Sequence, residues 1–305
     1  MTIRPMPMTR RRFLAGSLAA GAGLLLPRLL RGADAPPAPV DPNRFALLSD
    51  VHIWEDREKP VHGVLPADSL ARACRQIVAL APRPAAVILC GDNPQLKGLP
   101  GDYAVLADLL RPIRACGIPI HFVLGNHDQR ENFHAAFPDA EPPGGPEVPG
   151  KHVAIVEAPH ANWFLLDSLN QTNVTPGLLG PAQLDWLARS LDARPGTPAL
   201  VVAHHPPDCG EKPSGLVDTD ALFGVLQPRK QVKAYIYGHS HAWAISHFDG
   251  IHEINLPTIV WGFGKKHPRG WVDVRLRPDG ARLVLNTLDG AFARHADTAD
   301  LKWRP

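Results

Sequence analysis

The stretch IHFVLGNHDQR, residues 120–130, joins a short apolar run to a polar segment that contains Asn126 and His127. The run Ile120–Leu124 is rich in β-branched and aromatic residues, which favours a strand. The polar segment begins where that run ends. Because ligand sites in open α/β sheets lie beyond the carboxyl ends of the strands, we predict a ligand-bearing loop here.

Four further apolar runs end in polar segments of the same kind. The runs are Phe45–Leu48, Ala85–Cys90, Ala199–Ala203 and Val232–Tyr237, and the segments that follow them are Asp50-Val51-His52, Gly91-Asp92, His204-His205-Pro206 and Gly238-His239-Ser240-His241. Loops at the carboxyl ends of strands converge on one crevice even when they are far apart in the chain. The pattern therefore predicts one site assembled from five loops.

The residue types in these loops indicate a centre for two metal ions. Three oxygen ligands, Asp50, Asp92 and Asn126, accompany the histidines, and such mixed sets of ligands suit manganese, iron or zinc. One carboxylate that bridges two ions holds them about 3.5 to 4 Å apart, a spacing that lets both ions contact a phosphoryl group. Asp92 is the predicted bridge.

Glycine precedes a predicted ligand in three of the five loops, at Gly91, Gly125 and Gly238. Glycine adopts positive φ angles readily and lets another part of the chain approach the backbone closely. We therefore predict positive φ angles and close backbone approach at these three strand-to-loop turns.

In their order along the chain, the five segments resemble the motifs of the calcineurin-like metallophosphoesterase superfamily. The resemblance spans approximately Phe45–Val260 and is greatest to the bacterial cyclic-nucleotide and glycerophosphodiester phosphodiesterase branch, through residues 125–130, 164–168 and 183–187. It implies an α/β fold of two facing mixed β-sheets flanked by helices. It also implies that Asp50, His52, Asp92 and His241 bind one ion, and that Asp92, Asn126, His204 and His239 bind the other.

The same resemblance implies a role for His127 that does not involve metal binding. This histidine would stabilise charge on the phosphate or protonate the leaving oxygen. In many relatives an acidic or amide residue three positions after the bridging aspartate supports it, and Gln95 stands at that position. Because a neutral partner stabilises an imidazolium less than a carboxylate does, the predicted Gln95 contact weakens the general-acid role.

Other residues near the motifs leave alternatives open. His205 and Asp128 either orient ligands or are ordinary loop residues, and Arg130 either contacts phosphate or forms a structural ion pair. Trp54 and Trp243 either wall the substrate pocket or pack in the core, and packing is favoured. Nine further histidines match no motif and are interpreted as surface or structural residues.

Helices are predicted between the strands. Leu70, Ala73, Cys74 and Ile77 form an apolar stripe after Asp68, a predicted N-cap, and Leu184, Leu187 and Leu191 form another after Pro181. From Ile245 to Asn286 the pattern changes to strands with turns at Asp249-Gly250 and Asp279-Gly280.

The N-terminal residues carry the features of a targeting signal. A twin-arginine pattern at residues 9–14 precedes an apolar stretch, residues 14–26, and Ala33-Asp34-Ala35 offers a small-residue cleavage site. We predict a twin-arginine signal peptide over residues 1–35, a Pro-rich linker over 36–43 and a metallophosphoesterase domain over 44–305. The twin-arginine export machinery is then a partner, and the mature protein is periplasmic or extracellular. The alternative is an uncleaved membrane anchor, although the stretch is too short and too rich in Gly and Ala to favour a stable span.

Removal of residues 1–35 changes the formal net charge from +2 to −3, because Lys+Arg falls from 32 to 26 and Asp+Glu from 30 to 29. The basic excess of the chain therefore lies in the signal, and no nucleic-acid partner is expected. The four cysteines, Cys74, Cys90, Cys116 and Cys209, form no C-x-x-C pair. Free buried thiols are predicted at Cys74 and Cys90.

Together these features predict an exported phosphohydrolase in which two metal ions activate a bridging hydroxide as the nucleophile. Small phosphoesters are the expected substrates, and phosphodiesters are favoured. A broad-specificity phosphomonoesterase is the alternative, because both activities use the same metal ligands. A non-catalytic metal-binding protein of the same fold is a further alternative, although none of its ligands is missing from the sequence.

Overall fold

The computed structural model describes residues 38–140, 147–211, 213–264, 266–290 and 292–305, so the predicted signal peptide lies outside the described residues. The strands are β1 (Val40–Leu48), β2 (Arg83–Cys90), β3 (Ile120–Val123), β4 (Ala154–Val156), β5 (Asn162–Leu165), β6 (Ala199–Val202), β7 (Val232–Tyr237), β8 (Ala244–Phe248), β9 (Ile251–Asn255), β10 (Gly270–Arg277), β11 (Gly280–Thr287) and β12 (Thr298–Lys302). The helices are α1 (Pro66–Val78), α2 (Pro100–Leu109), α3 (Arg111–Ala115), α4 (Arg130–Ala136), α5 (Pro181–Asp192) and α6 (Thr219–Leu226), and a 3₁₀ turn spans Pro138–Ala140.

The strands form two mixed sheets of six strands each. The first has the order β12-β11-β10-β1-β2-β3, and the second has the order β4-β5-β6-β7-β9-β8. Parallel pairs join β1 to β2 and β2 to β3 in the first sheet, and β5 to β6, β6 to β7 and β7 to β9 in the second. Each of the five motif-bearing strands therefore has a parallel neighbour. The carboxyl ends of parallel strands lie at the same end of a sheet.

Alternation along β1 explains how the sheets and helices pack. Phe45 and Leu47 belong to a core that includes Trp163 of the second sheet, and the rings of Phe45 and Trp163 lie 4.9 Å apart. Ala46 and Leu48 point to the other face and pack with α1 to α4. Successive side chains of a strand alternate between its faces, so one strand contributes to two cores. A third core joins the second sheet to α5 and α6. The predicted arrangement of two facing mixed sheets flanked by helices is confirmed.

A buried ion pair joins the first strand to the C-terminal part of the same sheet. The guanidinium of Arg44 donates to both carboxylate oxygens of Asp273, at 2.8 Å and 2.7 Å. Its third nitrogen donates to the carbonyl of Pro82 at 2.5 Å. Because a buried charge without a partner is strongly destabilising, this paired geometry fixes β1 beside β10.

The helix predictions hold except at one cap. α5 begins at Pro181, as predicted, with proline in the first turn, where its missing N–H costs nothing. α1 begins at Pro66, its N-cap is Leu65, and Asp68 lies inside the first turn. The predicted Asp68 cap is therefore wrong, because Pro66 starts the helix two residues earlier. The Asp68 carboxylate instead lies near the positive end of the helix dipole.

The strand predictions hold with small shifts at the ends. β1 begins at Val40, inside the stretch that the sequence assigns to the linker. β8 and β9 join through Asp249 and Gly250, both at positive φ, as a type I′ turn requires. None of the helices in the described ranges combines the length and hydropathy that a membrane span requires. All four cysteines are free and Cys74 and Cys90 are buried, as predicted.

Candidate metal centre

The five motif loops meet at the carboxyl ends of strands from both sheets. Three overlapping groups of residues could each hold a metal ion, because the ligand atoms within each group lie within 4.8 Å of one another. The groups are Asp50 with His52 and His241, His52 with Asp92 and His127, and Asp92 with His204 and His239. We call the seven predicted ligands, together with His127, the candidate metal centre. Two of the three groups correspond to the two predicted ligand sets, and Asp92 belongs to two of the three.

Asp92 lies in the middle of the candidate metal centre, and its two oxygens have different neighbours. Its Oδ1 accepts a hydrogen bond from the backbone N–H of His127 at 2.9 Å. Its Oδ2 lies 3.3 Å from Nε2 of His204 and 3.9 Å from Nε2 of His52. One oxygen is therefore held by the protein, while the other faces histidines of both predicted ligand sets, as a bridging ligand requires.

The two carboxylate oxygens of Asp50 also have different neighbours. Its Oδ2 accepts hydrogen bonds from the hydroxyl of Ser49 at 2.5 Å and from the backbone N–H of His239 at 3.1 Å. Its Oδ1 lies 3.3 Å from Nε2 of His241 and 3.9 Å from Nε2 of His52. The side chain is fully buried, so these contacts fix which oxygen faces the centre.

Backbone carbonyls orient two of the histidines. Nδ1 of His204 lies 2.8 Å from the carbonyl oxygen of Cys90, and Nδ1 of His241 lies 2.6 Å from that of Trp261. A carbonyl only accepts hydrogen bonds, so each Nδ1 carries a proton and donates it. Each Nε2 is thereby directed at a carboxylate of the centre, the arrangement in which histidine commonly binds metals.

Unpartnered buried atoms test whether the centre fits metal ions. Among the described residues, five of its side-chain atoms are buried without a hydrogen-bond partner: Asp50 Oδ1, His52 Nδ1, Asn126 Oδ1, His204 Nε2 and His239 Nδ1. A buried polar atom without a partner costs about 1–3 kcal/mol. The atoms are carboxylate, amide and imidazole ligands, which together suit divalent transition metals. The residues present therefore fit the predicted ions.

Burial keeps two of the imidazoles neutral. It lowers the pKa of His52 to about 3 and that of His239 to about 4, in both cases as the largest effect and against the pull of nearby carboxylates. A neutral imidazole keeps a free lone pair, and a metal ion binds only that form. Both side chains are therefore in the protonation state of a ligand at neutral pH.

Asp92 and His204 form a charge pair at the middle of the centre. Burial acts to raise the pKa of Asp92, but the neighbouring imidazoles of His204, His127 and His52 together outweigh it and hold that pKa well below its usual value. Burial acts to lower the pKa of His204, but Asp92, together with Asp50 and the carbonyl of Cys90, outweighs it and raises that pKa to about 9. A proton therefore competes with a metal ion for His204 at neutral pH.

Five of the seven predicted ligands have left-handed backbone conformations, although none is glycine. The φ angles are 53° at Asp50, 45° at His52, 50° at Asp92, 67° at His239 and 52° at His241. Such a conformation costs about 1–3 kcal/mol per residue and is found where the surrounding structure enforces it, often at functional sites. The strained backbone conformations at the centre are therefore those of the predicted ligands themselves.

The glycines beside these ligands serve two different purposes. Gly91 has a φ of 76°, as predicted. The predicted positive φ is wrong at Gly125 and Gly238, but the predicted close approach of another part of the chain is confirmed at both. A Cβ at Gly125 would overlap Oδ1 of Asp92, and a Cβ at Gly238 would overlap the hydroxyl of Ser49.

His127 lies at the open side of the centre with its Nε2 3.9 Å from Oδ2 of Asp92. Its Nδ1 lies 3.0 Å from the carbonyl oxygen of Leu96, which accepts its proton. The predicted support by Gln95 is wrong, because the backbone N–H of Gln95 pairs with Ile53 and its Oε1 is buried without a partner among the described residues. The partner of His127 is neutral, as predicted, but it is a backbone carbonyl.

Asp128 and His205, whose roles the sequence left open, contact the loops that carry ligands. Asp128 is fully buried and accepts hydrogen bonds from the backbone N–H of Gly125 at 2.8 Å and from the hydroxyl of Tyr103 at 2.9 Å. Nδ1 of His205 lies 2.8 Å from the hydroxyl of Ser168, and its ring lies 4.9 Å from that of His239. These contacts favour orientation of the ligands over plain loop polarity.

Three other residues have structural contacts. Arg130 pairs with Asp167 at 2.7 Å, which favours the structural ion pair over phosphate contact. Trp243 is buried in the core between the sheets, as favoured by the sequence. Trp54 is half-buried, and the ammonium of Lys59 lies 3.8 Å from the centroid of its ring.

Sequence patterns do not mark two aromatic residues that border the centre. The ring of Trp261 is stacked on that of His52 at 4.8 Å, and the ring of Phe263 is stacked on that of His241 at 4.8 Å. Both follow β9 in a loop without regular periodicity. A glycine on each side of Phe263 is the nearest local signal, and it predicts only a turn.

Comparison with known proteins gives a family match and curated relatives. The model of the calcineurin-like phosphoesterase family matches residues 43–243. A protein of Rhodopseudomonas palustris named probable cyclic nucleotide phosphodiesterase is 32% identical over 261 residues, which cover 80% of this chain and 91% of that protein. The 3′,5′-cyclic adenosine monophosphate phosphodiesterase CpdA of Pseudomonas aeruginosa is 31% identical over 201 residues, which cover 64% of this chain and 68% of the relative.

A solved structure shares the fold at low sequence identity. A dimetal phosphatase from Danio rerio superimposes with a TM-score of 0.66 and 17% identity, over 87% of this chain and 100% of that chain. At this identity the likeness concerns the fold alone. It places the two facing sheets and their helices among the metallophosphoesterase folds.

Proposed function

The chain belongs to the calcineurin-like phosphoesterase family, and we propose that it is an exported phosphodiesterase that uses two metal ions to hydrolyse cyclic nucleotides. One observation carries the proposal, namely that Asp92 belongs to two groups of ligand atoms, one with His52 and His127 and the other with His204 and His239. The names of the curated relatives support cyclic nucleotides as the substrate class.

The ligand residues divide between two ions that share Asp92. Asp50, His52 and His241 would hold the first ion, and Asn126, His204 and His239 would hold the second. Two ions bound in this way neutralise phosphate charge and lower the pKa of water, so that a nucleophile is available near neutral pH. The neutral amide of Asn126 adds no charge, so an ion held by the second set would remain the stronger electrophile.

His127 is positioned to move a proton at the open side of the centre. Its Nδ1 proton is committed to the carbonyl of Leu96, so only Nε2 gains or loses a proton during a reaction. Nε2 faces Asp92 and is partly open to solvent. A protonated Nε2 there donates to the leaving oxygen or to a phosphate oxygen.

A metal and substrate panel tests this function. We expect chelation to abolish hydrolysis of all phosphoesters, and manganese, iron or zinc to restore it, because the ions supply several kcal/mol of transition-state stabilisation. We expect cyclic AMP and bis(p-nitrophenyl) phosphate to be hydrolysed at least ~10-fold faster than p-nitrophenyl phosphate, which corresponds to about 1.4 kcal/mol in barrier height. Metal content per chain is measured in the same samples. A faster monoester reaction would identify a phosphomonoesterase instead.

Export by the twin-arginine route is a second part of the proposal, supported by the paired arginines before a weakly apolar stretch. We expect replacement of Arg10 and Arg11 by lysine to leave a folded, metal-binding precursor in the cytoplasm, because a receptor recognises the arginine pair. Cell fractionation and immunoblotting measure the shift. The matched control replaces Arg28 and Arg31 by lysine and should be exported normally. Normal export of the Arg10/Arg11 variant would indicate the general secretory route or an anchor.

A further inference from the structure

A row of aromatic rings runs through the candidate metal centre to the surface. The rings of His127 and His52 lie 5.4 Å apart, those of His52 and His241 lie 5.1 Å apart, and those of His241 and Phe263 lie 4.8 Å apart. The middle two are buried, whereas the two ends reach solvent. His127 therefore lies at one side of the centre and Phe263 at the other.

Phe263 differs from the rest of the row because it is an apolar ring in water. It is 66% exposed, the highest exposure of any large apolar side chain in the described part of the chain. Its ring is nearly parallel to that of His241, with an angle of 25° between the planes. One face of Phe263 thus covers a metal ligand, which leaves the other face open beside the centre.

The loop fixes Phe263 in this position. The backbone N–H of Gly264 donates to the carbonyl of Gly262 at 2.8 Å, which closes a tight turn around Phe263. Gly264 has a φ of 122°, a conformation that other residues rarely adopt. On the inner side of the turn the ring of Trp261 packs against that of His241 at 5.2 Å. The exposed ring is therefore presented by a defined turn.

We infer that Phe263 forms a stacking platform for the base of a nucleotide substrate whose phosphate lies at the candidate metal centre. This inference rests on the proposed function and names the part of the protein that recognises the non-phosphate half of the substrate. A cyclic nucleotide carries its base one sugar ring away from the phosphorus. When the phosphate lies at the centre, a planar, weakly polar base that stacks on this exposed aromatic face is removed from water, which adds binding energy.

The chemistry of stacking predicts limited selectivity. Every nucleobase has a π-face, so stacking on a phenylalanine ring adds affinity without choosing strongly between bases. Metal ligands bind the phosphate, which all nucleotides share. Phe263 therefore distinguishes nucleotides from small phosphodiesters that lack a base, and it contributes to binding rather than to the chemical step.

Steady-state kinetics with two matched diesters test the platform. The substrates are cyclic AMP and methyl riboside 3′,5′-cyclic phosphate, which has the same phosphodiester ring without the base. We expect Phe263→Ala to raise KM for cyclic AMP by ~5- to 30-fold with kcat unchanged, the range that one-sided base stacking supports. KM for the base-free diester should not change. Phe263→Leu should behave like Phe263→Ala, and Phe263→Trp should retain the wild-type KM.

The control is Phe248→Ala, which removes an aromatic ring that is 51% exposed, at the far end of β8 from His241. It should leave both KM values unchanged. Equal shifts of KM for both diesters in Phe263→Ala, or no shift for either, would overturn the inference. Loss of bound metal in Phe263→Ala would also overturn it, because Phe263 would then act only as a cover for His241.

A binding experiment separates this inference from the proposed function. If the wild-type protein hydrolyses neither diester, the proposed function fails, and calorimetry then compares AMP with ribose 5-phosphate on the metal-loaded protein. A ~5- to 30-fold preference for AMP that disappears in Phe263→Ala supports the platform. Equal affinity for the two compounds refutes it.

Discussion

Asp92→Asn is expected to lower the turnover of every phosphoester by about 10³-fold or more, because it removes the charge that both ions share. The amide oxygen can replace Oδ1 and accept from the backbone N–H of His127, so the loop keeps its anchor. The amide nitrogen then replaces Oδ2 and directs N–H donors, in place of a carboxylate oxygen, at the histidines of both ligand sets. Metal analysis should show fewer than two ions per chain, while circular dichroism should show an intact fold.

The matched control for this variant is Asp102→Asn. Asp102 is also buried, but its carboxylate accepts from the backbone N–H groups of Leu99 and Glu55 at the start of α2. Asparagine keeps one of these two contacts and turns its NH2 group toward the other N–H, which costs some stability. Both contacts lie outside the candidate metal centre, so this variant should keep its ions and its activity. If Asp92→Asn retained two ions and near-normal turnover, Asp92 would not be the bridge.

His127→Ala is expected to retain both ions and to lose rate by about 10²- to 10⁴-fold on esters with poor leaving groups. Nε2 of His127 is the ring atom available for proton transfer at the open side of the centre, since Nδ1 is committed to Leu96. A cyclic nucleotide leaves as a strongly basic sugar alkoxide and requires a proton. An aryl diester leaves as a weakly basic phenolate and requires little protonation, so its deficit should be small.

The leaving-group series distinguishes three roles of His127. A deficit that grows with the basicity of the leaving group indicates proton donation, whereas equal deficits on cyclic AMP and bis(p-nitrophenyl) phosphate assign His127 to phosphate binding. Loss of metal would make it a ligand or a support for Asn126, since its Nε2 belongs to one of the three ligand groups. His247→Ala, which removes an exposed histidine of β8, is the control and should change none of these rates.

The convergence of the predicted ligands was predictable because each of their loops follows an apolar run whose length and β-branched residues favour a buried strand. Asp50 follows β1, Asp92 follows β2 and His204 follows β6, so strand ends located in the sequence also located the loops. The structure additionally shows how each predicted ligand side chain is oriented. The carbonyls of Cys90 and Trp261 that orient His204 and His241 belong to backbone, which has no sequence signature.

Several of the failed predictions share a physical cause, which is that contacts with residues distant in sequence determine the role of a residue. Gly125 is glycine because the carboxylate of Asp92 occupies the space of its Cβ, and that neighbour is distant in sequence. Gln95 does not support His127 because Nδ1 of His127 donates instead to the carbonyl of Leu96. Phe263 was not predicted because one aromatic residue between two glycines has no periodicity to detect.

The pairing of β1 with β10 has a consequence for how the chain acquires its structure during synthesis. Residues 44–47 pair with residues 272–275, so β1 lacks one neighbour until most of the chain has been made. Pairing across such a distance in sequence is slow, and an unpaired strand edge invites aggregation meanwhile. A chain cut at residue 243, where the family match ends, would retain every ligand of the candidate metal centre. It would nevertheless lose β10 and the carboxylate that pairs with Arg44. The stretch that identifies the family therefore lacks a strand and an ion-pair partner that hold β1 in the first sheet.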